Sequence, residues 1–168
     1  MKVIPALPIA AILACMSVPA AAVAADAPSK PAAKSAQAKQ IERGRYLVAI
    51  MGCNDCHTQD FHARGDFKIP EKDRLTGSTV GWRGPWGTTY PANLRQYFQL
   101  ATESAWVAVA KEVQRRPPMH NFSLNAMTGS DVRAMYHYLR HLGPAGAPAP
   151  SALPPGKEPP KPYVQFPE

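Results

Sequence analysis

The sequence predicts an all-α domain of about three main helices joined by long loops, on three observations. Helical apolar stripes run from Ala38 to Met51, from about Phe98 to Arg115 and from about Gly129 to Leu142. No stretch alternates convincingly as a strand, and no internal repeat is present.

Ahead of these elements, Lys2 precedes an uncharged stretch from Val3 to Ala25, and Asp26 is the first acidic side chain. That is the layout of a cleaved export signal, with small residues before the cut in Val23-Ala24-Ala25. A membrane span is disfavoured because Pro5, Pro8 and Pro19 interrupt the stretch and its apolar core is short of the roughly 20 residues a span needs. Residues 1–25 are therefore expected to be a signal peptide and the mature protein to be periplasmic. The alternative is a lipid on Cys15, which follows Ile12-Leu13-Ala14, anchoring the chain to a membrane.

The 143 residues that remain suit one domain with one buried core. Of 19 Lys and Arg residues, Lys2 leaves with the signal, so 18 basic side chains face 12 acidic ones, a formal +6. Such a surface favours acidic partners. Nucleic acid is not an expected partner, because no nucleic-acid-binding motif or single basic stripe appears.

Residues 26–37, rich in Ala, Pro, Ser and Lys, read as a flexible leader. The first helix then puts Ile41, Gly44, Val48 and Met51 on one stripe and feeds into a cysteine motif. Between Thr58 and Leu94 lies an irregular stretch with five glycines, of a length that is unusual unless it is functional or wraps something. In the second helix Thr102, Trp106, Val109 and Val113 recur three or four apart, and Pro117 and Pro118 end it. The third has the clearest start in the chain: Thr128 can cap it, Asp131 can reach back, and Val132, Met135, Leu139 and Leu142 form its buried stripe. Gly143 and Pro144 stop it, and nine prolines in the last 26 residues predict an extended tail over 144–168.

Cys53-Asn54-Asp55-Cys56-His57 is a C-x-x-C-H sequence, the pattern of covalent haem attachment. Two thiols three positions apart on a helical turn can both reach one haem edge, and the adjacent imidazole can reach the iron. Three other readings fit less well. A zinc site lacks a second cysteine pair once Cys15 is gone; a thioredoxin-type pair should open a helix after a strand, whereas this motif is expected to close one; and a plain disulfide leaves His57 unexplained. The sixth iron position has five candidates. Met51 is too near His57 to cross the ring and Met135 sits on a core stripe. Met119, presented by Pro117-Pro118, is the expected ligand, with His120 and Met127 as alternatives.

With these residues in view the sequence resembles the class I cytochromes c, in particular the small cytochrome c domains and subunits that serve bacterial periplasmic dehydrogenases. The likeness covers residues 38–143. It rests on Gly44-Arg45-Tyr46-Leu47 leading into Cys53–His57, on GPWGTTYPANL at 84–94, on the PPM at 117–119 and on MTGSDVRAMYHYLRHL at 127–142. The resemblance implies a class I cytochrome c fold around one covalent haem c, whose first and last helices cross at Gly44 and Tyr136 or Tyr138. It also implies that the carbonyl of Pro85 accepts the second ring hydrogen of His57, and that Trp86, Tyr90 and Asn93 line the haem edge. The insertion between His57 and Gly84 and the proline-rich tail depart from the pattern.

A six-coordinate haem with His57 and Met119 on the iron changes charge without an open site for substrate. The expected role is therefore an electron carrier, not an enzyme, passing single electrons between redox proteins such as a dehydrogenase or a terminal oxidase. Two alternatives remain: a five-coordinate haem enzyme or gas sensor, and a non-catalytic cytochrome subunit of a dehydrogenase or oxidase complex with the tail as its clasp.

Overall fold

A computed structural model describes residues 30–167 of the chain. The expected signal peptide at 1–25, its cleavage site and the lipid alternative at Cys15 lie outside the described residues. No helix among the described residues is long and apolar enough to cross a membrane.

The described chain is a mostly helical domain of six helices with a small three-stranded mixed sheet. Its elements are α1 (Lys30–Ile50), α2 (Cys53–His57), β1 (Gly81–Gly84), β2 (Gly87–Thr89), α3 (Leu94–Leu100), α4 (Glu103–Glu112), α5 (Asn121–Ala126), α6 (Gly129–His141) and β3 (Tyr163–Gln165). The expectation of three helices and no strands is corrected in four places. First, α1 begins at Lys30, not Ala38, so most of the presumed leader is helical. Its alanines, lysines and glutamine are strong helix formers that need no buried face, and residues 34–39 are exposed.

Second, the helix expected from Phe98 to Arg115 is two. The chain breaks at Ala101, and Thr102 starts α4 by accepting a hydrogen bond from Ala105 N at 3.2 Å. The apolar spacing runs on in phase across the break, which hides it. Third, α5 follows the PPM segment, where a loop was expected; its Asn125 side chain donates to the carbonyls of Ala110 and Lys111, satisfying the end of α4.

Fourth, the long stretch after His57 and the tail together build the sheet. Strand β1 pairs antiparallel with β2 and parallel with β3, with Gly81 opposite Tyr163 and Arg83 opposite Gln165. The tail is extended as expected, but it returns onto the domain instead of leaving it.

The third helix has its expected start and Thr128 cap, but Leu142 falls just past its end and is only half-buried. Thr128 caps α6 by accepting from Asp131 N at 3.1 Å, while the Asp131 carboxylate turns to Arg43 on α1 at 2.8 Å. The most extensive helix contact is between α1 and α6. Gly44 is required there: a Cβ would overlap the Ala134 carbonyl and come within 2.7 Å of the Tyr138 Cβ. Of the two tyrosines proposed for this contact, the structure selects Tyr138; Tyr136 instead donates its hydroxyl to the Ala101 carbonyl. Leu47 and Val48 of α1 meet Val132, Met135 and Leu139 of α6, and Phe98 and Trp106 complete the core from α3 and α4. The Trp106 indole donates to the Val132 carbonyl at 2.9 Å.

Around this crossing, Arg45 on α1 and the Tyr138 hydroxyl both donate to the Glu71 carboxylate, at 2.7 and 2.8 Å. Burial pulls the Glu71 pKa up, but the Arg45 and Tyr138 hydrogen bonds outweigh it and hold the carboxyl below its ordinary value. A carboxylate depressed in the folded state stabilises the fold above its unfolded pKa and loses that contribution as pH falls through the folded one. Thermal midpoints are accordingly expected to decline as pH drops below about 4–5, the range in which an unfolded glutamate takes up its proton. The decline should be shallower in Glu71→Gln, and superimposable curves for the two proteins would show that Glu71 has no part in it.

Candidate functional site

The cysteine motif does not close α1. The helix stops at Ile50, Gly52 turns the chain with φ +65°, and Cys53–His57 form the separate single turn α2. The motif thus opens a short helix, although among the described residues no strand precedes it as it would in a thioredoxin-type site. Cys53 and Cys56 are both free thiols. Burial, aided by the Asp55 charge, pushes the Cys53 thiol up to about 12 and raises that of Cys56. At neutral pH both are protonated, the opposite of the lowered pKa that makes an exchange-active cysteine pair. Among the described residues no cluster of three or more His, Cys, Asp or Glu side chains is arranged to hold a metal ion.

His57 is held by its ring. Its Nδ1 lies 2.8 Å from the Ala92 carbonyl, and a carbonyl can only accept, so Nδ1 carries the hydrogen and Nε2 keeps its lone pair free. Burial lowers the histidine pKa, with the Ala92 bond opposing, which favours this neutral form. The partner is not Pro85. Pro85 stands in the exposed turn between β1 and β2, and the carbonyl that reaches the ring lies seven residues further on, in Pro91-Ala92-Asn93.

Several local contacts bring Ala92 there. Gly77 N donates to the His57 carbonyl at 2.8 Å and Ser78 N to the Pro91 carbonyl at 3.2 Å, so residues 77–78 lie between the motif and the 91–93 segment. Gly77, at φ +87°, must be glycine: a Cβ would sit 3.0 Å from both Asn93 N and the Pro91 oxygen. Thr58 locks the other flank, donating its hydroxyl to the Asn54 side chain and accepting from Leu75 N, each at 2.9 Å.

The remaining expected site residues divide. Asn93 is buried, but its side chain is fully used within the protein. It caps α3 by accepting from Gln96 N at 3.0 Å and donates to the carbonyls of Ala145 and Ala147 in the tail at 2.8 and 2.9 Å. These bonds position the Ala92 turn. Tyr90 is half-buried and packs near Gly81, where a Cβ would lie 3.2 Å from its ring and 2.9 Å from the Thr88 methyl. Trp86 folds over Gly84, and its buried indole N–H has no acceptor among the described residues.

Met119 is 37 % exposed, on the rim of an open cavity of about 630 Å³ lined also by Gln114, His120, Phe122 and Asn125. His120 stacks on Phe122 with ring centroids 5.8 Å apart. This segment is tied to the β1–β2 hairpin: Thr89 Oγ1 donates to the Pro117 carbonyl at 3.1 Å and Arg116 to that of Trp86 at 3.1 Å. Met127 and Met135 belong to the packed core, and Met51 lies against it.

Sequence reasoning missed Arg95. It is 3 % exposed, and its guanidinium donates to the carbonyls of Leu142, Gly143, Lys72 and Arg74. One side chain thus joins the end of α6, the segment before β1 and the start of α3. An arginine one position after the α3 N-cap and its first residue carries no sequence signal of burial; only the absence of a nearby acidic partner hints that it serves carbonyls.

Comparisons of the chain with known protein families, with curated proteins and with solved structures found no match.

Proposed function

We propose that the chain is a periplasmic mono-haem cytochrome c that carries single electrons between redox proteins. The observation that carries this reading is the clamp on His57: a carbonyl fixes Nδ1, so Nε2 is presented as a ligand directly beside two protonated, unbridged thiols on one helical turn. A disulfide has no use for that imidazole, and a zinc site would need further ligands, whereas no cluster of three or more His, Cys, Asp or Glu side chains is arranged to hold a metal ion among the described residues. The unpaired Trp86 N–H adds support, since a buried donor without an acceptor suits a bound group with oxygen atoms.

In this proposal Cys53 and Cys56 would hold the cofactor through thioethers, and His57, whose ring is fixed by the Ala92 carbonyl, would offer Nε2 to its iron. Haem c supplies a one-electron ferric–ferrous couple. Met119 is the proposed sixth ligand; its place outside the core clusters that absorb Met127 and Met135 favours it over them. Cys53 packs against the hydrophobic core, so on that side little solvent would reorganise as a bound haem changed charge. Redox partners with acidic docking surfaces, a dehydrogenase or a terminal oxidase, suit the basic chain.

The open cavity at Met119 favours one second reading, a five-coordinate haem enzyme or gas sensor in which Met119 stays off the iron. Carbon monoxide separates the two. Reduced wild-type protein is expected to resist it and the ferric form to show the far-red sulfur-to-iron band, whereas Met119→Ala should lose the band and bind carbon monoxide readily. Wild-type protein that binds the gas as fast as the variant would move the assignment to the sensor.

A further inference from the structure

The proline-rich tail ends on the two indoles of the hairpin. Phe166 packs against Trp82 with ring centroids 5.9 Å apart and against Trp86 at 5.4 Å, and its backbone N–H donates to the Arg83 carbonyl at 2.8 Å. Pairing of β3 with β1 sets this register, since Trp82 faces Val164 and Arg83 faces Gln165. Upstream, the tail is pinned by Asn93 and by a reciprocal pair of hydrogen bonds between Thr88 and Leu153, 3.0 and 2.9 Å. Three anchors along some twenty residues bring one aromatic ring to one place.

That place borders the cysteine motif. Trp82 lines a cavity of about 160 Å³ together with Cys56, Thr58, Phe61 and Val80. Trp86, four residues on, carries the orphaned indole N–H and sits beside the segment that leads to Met119. Trp82 therefore borders the motif proposed to hold the haem, Trp86 borders the segment that leads to Met119, and Phe166 touches both indoles.

We infer that Phe166 is a positioning residue: it fixes Trp82 and Trp86 as a water-excluding wall of the haem site and thereby sets the reduction potential. The inference rests on the haem reading above. Water near the iron stabilises the more highly charged ferric state, so a breached wall lowers the potential.

The test uses the full-length protein matured with its cofactor, with covalent haem content measured first in each variant. In Phe166→Ala the haem should remain attached, and at a fixed ambient potential the ferric-to-ferrous ratio should rise at least about threefold, a fall of ~28 mV at 59 mV per tenfold for one electron. Tryptophan fluorescence should become more accessible to iodide in the same variant. Phe166→Tyr, which keeps the ring, should restore both, and Phe166→Leu, which keeps apolar volume and secures a folded comparison, should fall between. A haem-loaded Phe166→Ala with unchanged potential and unchanged iodide quenching overturns this inference while leaving the haem reading intact. A wild-type protein without covalent haem overturns both.

Discussion

A chain carrying Cys53→Ala and Cys56→Ala together, exported by a host that matures c-type haem, is expected to lose all colour on acid-acetone extraction, while the wild type stays red. Each single variant should keep one thioether and so retain covalent haem at lower yield. The expectation follows from the placement of both thiols on the one turn of α2, three residues apart, with neither in a disulfide. It is a loss of the whole cofactor, not a graded effect, because no other cysteine stands among the described residues to replace them. Intact mass reads the outcome directly: bare polypeptide for the double variant, polypeptide plus haem for the wild type. Were the pair an exchange-active disulfide instead, the wild type would have the mass of the bare chain and its thiols would react fast at neutral pH. The raised pKa values of Cys53 and Cys56 predict slow reaction for the chain before haem is attached.

The second large effect is on stability. Gly44→Val is expected to cost roughly 3 kcal/mol or more, at the upper end of overpacking penalties, because the new side chain would press on the backbone of Ala134 and on the Tyr138 Cβ, which belong to α6 and cannot rotate away. At about 4 °C per kcal/mol for a domain of this size, the thermal midpoint should drop by about 10 °C or more. Gly129→Ala is the matched control. Its Cβ would meet only the far end of the Arg133 side chain at 3.3 Å, and it stands at the first residue of α6, so it should be close to neutral. Equal midpoints for the two variants would mean that α1 and α6 do not cross at Gly44.

What the sequence disclosed tracks the range of the interactions involved. The α6 start was readable because Thr128 and Asp131 signal it within one turn, and the Gly44 crossing because it came with a resemblance tied to neighbouring residues. Strands of three and four residues, rich in glycine, are too short to show alternation, and the pairing of Gly81 with Tyr163 spans most of the domain. Nothing local announces it. The misplaced histidine partner has a similar cause: two proline-containing segments, at 85 and 91, lie close in sequence, and only the folded path of residues 77–78 selects the second. Asn93, a helix cap directly after Ala92, was the available local clue that the chain turns there. That Cys53, Cys56 and His57 share one helical turn was legible because the motif is five consecutive residues, whereas where Met119 lies depends on how a distant loop docks.

The order β2-β1-β3 leaves the hairpin sealed along both sides. Leu153 occupies the outer rim of β2 through Thr88, and β3 covers β1 while itself being only three residues long and bounded by Pro162 and Pro167. Proline offers no N–H to a newcomer, so the outermost strand presents a short edge of three residues with no proline-free continuation on either side. The prolines that flank β3 therefore limit how far pairing can extend along that edge.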